Sequence, residues 1–460
     1  MTRSIDTTQG SLRAGLIRLS WPIMVTNLIN IIYNLTDTYF VGQLSYSREA
    51  IGAVSVTFNV MFLLVAVAIG LAMGTSTLVS QYFGAKDYKN IRHTAYTSLI
   101  LIGVIALVIS VLSIIFRDNI FRLLQTSEDI LPYAREYFTI IMSGMMFMFF
   151  FFVISSILRG VGDTKTPMIA GIISGLMNAV LDPFLIYGWW IFPELGVSGA
   201  AYATVFSRFL VTLYLLWYVF KKNSPLAFKI KDMRVDLDIA KKIFKIGIPS
   251  SLSELMVAVG ATLILARVNT FGAAATAAYG LGTRMDSFLY LPTMGIGQAT
   301  ATIVGQNLGA GNRDRAYRSG IQAMVSSFVF VLLVGLLLAF FARPILSLFT
   351  PDAEVVELGR FYIYFVGLAF CFIAVRVAVL FSFIGAGATK LAMFSTFITL
   401  ILIRVPLAYL FSYTSLGLNG VFLGIGVAFV ISAGFMTWLY SRKKWMDSVV
   451  VRPPATPAPL

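Results

Sequence analysis

Hydrophobic positions fall in long, nearly unbroken blocks separated by short polar stretches. A helix needs about 20 apolar residues to cross the hydrocarbon core of a bilayer. By that ruler the chain offers twelve candidate spans: 16–41, 50–78, 93–115, 132–158, 167–190, 197–220, 243–270, 273–303, 317–341, 357–384, 390–413 and 417–440. Several are longer than a crossing requires, which predicts tilt or projection past the bilayer. The predicted fold class is an all-α integral membrane protein with twelve transmembrane helices.

The second six spans resemble the first six. "VSQYFGAKDYKNIR" (79–92) matches "VGQNLGAGNRDRAYR" (304–318), with Gln81 on Gln306 and Gly84-Ala85 on Gly309-Ala310. "RGVGDTK" matches "IGAGATK" at the same offset, "LGVSG" matches "LGLNG", and "RLSWP" matches "KIGIP", in order. An even number of spans returns the chain to its starting side, so the two units are parallel six-helix repeats related by an axis along the membrane normal. This predicts an N-lobe over 1–220, a basic cytoplasmic linker over 221–245, a C-lobe over 246–442 and a disordered Pro/Ala-rich tail over 443–460.

Composition agrees: 58% of the 460 residues are hydrophobic, 12% are charged and mean hydropathy is +0.85. The net charge of +14 could suggest nucleic acid, but the basic residues lie in short loops rather than on one soluble face, so no nucleic-acid partner is expected. One side collects Arg3, Arg13, Arg18, Lys86, Lys89, Arg92, Arg159, Lys165, the 221–245 stretch, Arg313, Arg315, Arg318, Lys390, Arg442–Lys444 and Arg452; the other collects only Arg48, Arg117, Arg122, Arg135, Arg267, Arg343 and Arg360. The positive-inside rule then places both termini in the cytoplasm of a multi-pass protein of the cell membrane. The first residues do not read as a signal peptide. A lone Cys371 permits no intramolecular disulfide, a lone His93 excludes a histidine-based catalytic or zinc site, and no P-loop run occurs. No cofactor and no enzymatic activity are expected.

Against this background four acids stand inside spans: Asp37, Asp182, Glu254 and Asp286. An ionised side chain at a helix centre costs about 2.5–3.5 kcal/mol on insertion scales. In the first span Asn27, Asn30, Asn34 and Asp37 recur at spacings of 3, 4 and 3, on one helix face, and Tyr33 can join them. The Asn34-Leu35-Thr36 sequon lies within the span rather than in an exposed loop, which argues against glycosylation. In the fifth span Ser174, Asn178 and Asp182 stand at i, i+4 and i+8. Pro183 withholds a helical donor from the Ala179 carbonyl, and Pro22 does the same for Arg18 while marking a hinge. Two carboxylates close together in low dielectric cannot both ionise cheaply. If the two faces meet, the pair would share a proton or take a hard cation such as sodium on Asp, Asn, Thr and carbonyl oxygens. The competing reading is a hydrogen-bonded seam between helices, for which Asn, Ser and Thr would suffice.

The second half keeps the frame and changes the chemistry. Counted from the prolines, Ile264 stands where Asp37 does, and Asn178 and Asp182 fall near Ile403 and Leu407. Glu254 follows Pro249 by five residues, as Asn27 follows Pro22. Asp286, Arg284, Arg376 and Arg404 are further intramembrane charges, with structural pairing between acids and arginines as one reading. The aromatic and Met-rich run "MSGMMFMFFFFVISS" (142–156) is read mostly as lipid-facing filler, and otherwise as an adaptable apolar pocket.

Taken in order, "SWPIMVTNLINIIYNLTDTYFVGQL", "GTSTLVSQYFGAKD", "LRGVGDTKTP", "NAVLDP", "GIPSSLSE" and "IVGQNLGAGN" resemble the multidrug and toxic compound extrusion (MATE) transporters over roughly 10–442, in their archaeal/DinF-like branch. The resemblance implies a V-shaped, two-lobe transporter that exports amphipathic, often cationic compounds by antiport with protons or sodium. It implies an N-lobe coupling cluster that falls on Asp37, Asn178, Asp182, Tyr137 and Thr204, with sodium, if used, held by Asp37, Asn178, Asp182 and Thr204. Asn30, Tyr33 and Asn34 fall in the cavity or its network, and Glu254 fits a seventh-helix acid. The tenth-helix acid of another branch is replaced here by Arg376. A monomer suffices, with small-molecule substrates and the lipid bilayer as partners. The alternative function is a lipid or lipid-linked oligosaccharide flippase of the same twelve-helix plan, for which Arg284, Arg376 and Arg404 speak. A channel would need a continuous polar lining, and a membrane enzyme a polar catalytic pair; neither is visible.

Overall fold

A computed structural model describes residues 4–221 and 234–451, so Arg3, part of the 221–245 linker and the last nine residues lie outside the described residues. The described chain is helical: α1 Leu12–Val41, α2 Ser47–Gly84, α3 Tyr88–Ile115, α4 Arg117–Leu123, α5 Leu131–Gly160, α6 Lys165–Tyr187, α7 Val197–Phe220, α8 Leu237–Asn269, α9 Ala273–Gly309, α10 Arg313–Phe340, α11 Ala342–Ser347, α12 Ala353–Tyr362, α13 Leu368–Ala386, α14 Thr389–Phe397, α15 Val405–Ser412 and α16 Leu418–Ser441. In lipid every backbone polar group must be satisfied within the segment, which favours this outcome. Hydroxyls inside the helices bond back one turn, as Thr75 does to Leu71 O (2.9 Å) and Thr300 to Ile296 O (2.7 Å).

Among the described residues, eleven helical segments are long and apolar enough to cross a membrane. The predicted eighth span lies in α9, which at 37 residues is about 55 Å long. It misses the apolar standard because it carries Arg284, Asp286, Gln298, Gln306 and Asn307 among small residues. The tenth and eleventh spans are not uniform helices. Each contains a π-helical segment, Ile363–Gly367 between α12 and α13 and Ile398–Arg404 between α14 and α15. Their first-half counterparts α5 and α6 run as unbroken α-helix.

The repeat recurs in the backbone. Gly162 and Gly387, paired in the sequence match, both take the left-handed conformation, at φ +82° and +84°. A Cβ on Gly84 would lie 1.9 Å from Gln306 O, and a Cβ on Gly309 would lie 1.9 Å from Gln81 O. The repeat-related ends of α2 and α9 therefore cross in reciprocal backbone contact. Gly84→Ala and Gly309→Ala should each destabilise the protein by about 2–3 kcal/mol through overpacking. Thermal unfolding in detergent checks this against Gly434→Ala, where a Cβ meets nothing within 4 Å. Equal melting of all three variants would contradict the crossing.

The same two glutamines hold the ends of the chain. Gln306 Oε1 accepts from Thr7 N (3.0 Å) and Thr7 Oγ1 (2.7 Å). Gln81 Oε1 accepts from Val450 N (3.0 Å) and Val451 N (3.2 Å). The segment expected to be disordered from 443 is thus ordered at least to Val451, with Trp445 and Met446 buried. Apolar residues ahead of the Pro/Ala composition explain the difference.

The described residues form two compact units: one of 4–5, 25–79, 87–221 and 234–248, the other of Asp6–Met24, Ser80–Lys86 and 249–451. The second boundary, between Ile248 and Pro249, lies next to the predicted start of the C-lobe at 246. Each lead helix changes unit near its proline, α1 between Met24 and Val25 and α8 between Ile248 and Pro249, although α1 runs through Pro22 without a break. Within the predicted 221–245 linker, α8 begins at Leu237. In the first unit α5 packs against α3 and α7, and α6 packs on α7; in the second, α13 packs against α9, α10 and α16. Lipid-facing filler is the wrong description of 142–156. Its apolar side chains are buried or half-buried, with Met142, Met145, Phe149, Phe151, Val153 and Ile154 inside the unit.

Candidate functional site in the first unit

Asp37 and Asp182 meet. Asp37 comes from the last turns of α1 and Asp182 from the last turns of α6, and their carboxyl groups lie close enough for each to act electrostatically on the other. Asp182 and Asn178 are fully buried, and Asp37 is 7% exposed. Asn178 Nδ2, one turn before Asp182, donates to Asp182 Oδ1 (3.1 Å). Thr204 Oγ1, from half-buried α7, donates to Asp37 Oδ2 (3.3 Å). Tyr137 of α5 is buried within electrostatic reach of Asp37, Tyr33 and Asp182. Five residues from four helices thus gather in one place, and Tyr33 lines the same space.

Several buried oxygens in this cluster have no hydrogen-bond partner: Asp37 Oδ1, Asp182 Oδ2, Asn178 Oδ1, Tyr33 Oη and Ser174 Oγ. Buried polar atoms are ordinarily satisfied, so such a concentration singles these groups out as candidates to hold a proton or a cation. A proton between the two carboxyls would satisfy both. The first four of these oxygens are also the donor set that a hard monovalent cation takes, so the residues fit sodium as well. Thr204 Oγ1 donates its hydrogen to Asp37 Oδ2, which leaves its lone pairs as a further oxygen ligand for an ion beside Asp37. Among the described residues no three His, Cys, Asp or Glu side chains group as a metal site.

Other predicted residues are placed differently. Asn34 does not face the cluster; it is exposed, and its amide donates to the Asn30 carbonyl (2.8 Å). Asn30 touches the cluster through Arg208, whose Nη2 donates to Asn30 Oδ1 (3.1 Å). Glu254 and Asp286 belong to the second unit, where Tyr362 Oη donates to Asp286 Oδ2 (2.5 Å) and Glu254 lies in charge range of Arg376.

Sequence reasoning passes over Arg208. It stands one turn beyond Thr204 on α7, with its guanidinium 5.1 Å from the Tyr33 ring centre and 5.0 Å from that of Phe151. Its charge is felt at Asp37. The signal was available: an arginine inside an apolar span, on the same helix face as Thr204.

The MatE family profile matches residues 22–184 and again 249–410. The chain belongs to the MatE family. Both matches begin at a lead-helix proline, Pro22 and Pro249, so MatE membership and the internal repeat are one observation. The chain is 30% identical to the "Probable multidrug resistance protein NorM" of Thermotoga maritima, over 96% of this chain and 94% of that protein. It is 31% identical to the "FAD transporter" of Shewanella oneidensis, over 91% and 93%. Among solved structures it resembles an outward-facing multidrug resistance MATE family transporter of the MOP superfamily (TM-score 0.91, 27% identity, 98% of this chain, 100% of that one). It also resembles a MOP superfamily transporter from Pyrococcus furiosus whose reverse-polarity binding pocket suggested a different function (0.88, 26%, 97% and 99%). MatE proteins are transporters, so this chain is a multi-pass membrane protein of a transporter family, with multidrug efflux proteins among its relatives.

Proposed function

We propose that the chain is a secondary antiporter that exports amphipathic, cationic compounds across the cell membrane in exchange for protons or sodium, with both termini in the cytoplasm and a single chain as the working unit. The observation that carries this reading is the meeting of Asp37 and Asp182, with partnerless buried oxygens around them. Two adjacent carboxylates share one ion favourably and hold none at the cost of mutual repulsion. Binding and release of that ion changes the local charge by one unit beside α1, which changes unit close to Pro22. Ion occupancy can then bias a two-state helix, and by linkage the state that favours substrate disfavours the ion. The name "Multidrug export protein" of one relative supports the direction of transport.

Arg208 supplies a fixed positive charge beside this pair. Arg208→Gln removes a repulsion on the entering cation, so the coupling ion should bind more tightly and leave more slowly. The expected result is a lower half-saturating ion concentration together with a lower maximal rate, read from transport against pH or sodium concentration.

The second reading, a lipid flippase, draws on the buried guanidinium of Arg376. Radiolabelled organic-cation transport in proteoliposomes, with pH and sodium gradients imposed separately, distinguishes the two. Export predicts movement under at least one gradient; no movement under either contradicts it.

A further inference from the structure

The second unit holds charges that do not find one another. Arg376, in the middle of α13, is 5% exposed, and its Nε and Nη1 have no hydrogen-bond partner. Arg404, the last residue of the π-helical segment Ile398–Arg404, is close enough for the two guanidinium groups to repel. Its Nε is also partnerless, and its charge lies 5.1 Å from the centre of the Phe429 ring. Two acids lie in charge range, Glu254 of Arg376 and Asp286 of Arg404. None of the ion pairs found among the described residues joins them. Asp286 is engaged instead by Tyr362, directly before the other π-helical segment.

A guanidinium withdrawn from water is costly unless oxygen acceptors meet its donors. Structural pairing with Glu254 would have provided them and does not. The two π segments also interrupt both helices that carry or flank these groups, and such interruptions concentrate at functional sites.

We propose that Arg376 and Arg404 form an anion subsite in the second unit that receives a carboxylate or phosphate group of the transported compound. Planar, forked donors suit such groups in two-point contact, which an ammonium would not match. This rests on the export reading and narrows it. The substrate class includes amphipaths whose cationic or aromatic body carries an acidic group, rather than simple lipophilic cations alone. Glu254 stands beside Arg376 as a competing internal negative charge.

The test uses the purified full-length protein in detergent, with no ion gradient. Fluorescence anisotropy follows the binding of a rhodamine dye with a free benzoate and of its methyl ester. Arg376→Gln should weaken the benzoate dye about tenfold and change the ester less than about twofold. Arg404→Gln, at a half-buried position and so a milder change to packing, should act in the same direction, and Glu254→Gln should tighten the benzoate dye. Competition by short-chain phosphatidic acid, compared in wild type and Arg376→Gln, separates a lipid phosphate from a free carboxylate as the occupant. Arginine-dependent binding on either arm supports the subsite. Equal losses for both dyes, or no loss in either arginine variant on either arm, overturn it. If the wild type binds the ester and not the acid, the subsite fails and export stands. If it binds neither dye, export of such compounds is contradicted as well.

Discussion

Asp37→Asn should abolish ion-driven export while leaving the protein folded and inserted. The side chain is nearly the same size and keeps an oxygen for Thr204, which now donates to Asp37 Oδ2 across 3.3 Å. The substitution also removes a carboxylate that is 7% exposed, and burying a charge is a cost to the fold rather than a support. Yield and melting temperature should therefore hold or rise. Coupling between linked sites commonly amounts to about 1–3 kcal/mol, or roughly 5- to 150-fold in affinity, and the variant should lose all of it. Transport under a gradient would fall to the rate seen without one, while substrate binding at equilibrium persists. Full gradient-driven activity in a folded Asp37→Asn protein would remove the coupling role.

Asp182→Asn is the second large effect, and it differs in kind. Asp182 is fully buried beside Asn178, and no donor reaches its Oδ2. Without it Asp37 stands as a lone carboxylate, so nothing is left to share a proton. The dependence of transport on pH should flatten, and any dependence on sodium should weaken because one of its oxygen ligands carries no charge. Asparagine keeps an oxygen to accept from Asn178 Nδ2, which now donates across 3.1 Å. As for Asp37→Asn, the melting temperature should therefore hold or rise while the ion dependence changes. An unchanged pH profile and sodium profile would count against a shared ion.

What could be read from the sequence was what depends on local spacing. Twelve spans, the six-plus-six repeat and the polar stripes of α1 and α6 all follow from periodicity, and the positions of Asn178 and Asp182 one turn apart follow directly. That the two stripes face each other depends on packing through α7 and α5, which spacing does not encode. Asn34 illustrates the limit. At about 100° per residue, Asn30 lies almost in line with Asp37, while Tyr33 and Asn34 flank it on opposite sides. Packing turned Tyr33 in and Asn34 out. The run 142–156 failed for another reason: lipid and protein interior are equally apolar, so composition does not separate them. The π segments before Leu368 and Val405 are shifts of helical register, which the apolar pattern of the two spans does not mark. The swap of the lead-helix ends between units is likewise a long-range property, although both prolines that mark it were visible.

The most direct test of the Asp37–Asp182 account is ion release on substrate binding. Purified protein in weakly buffered detergent solution is titrated with an exported cation, with proton release read by a pH indicator and displaced sodium read by tracer. Linkage through one shared ion predicts release of about one proton or sodium per chain from the wild type and none from Asp37→Asn that still binds substrate. Equal release from both proteins would contradict it.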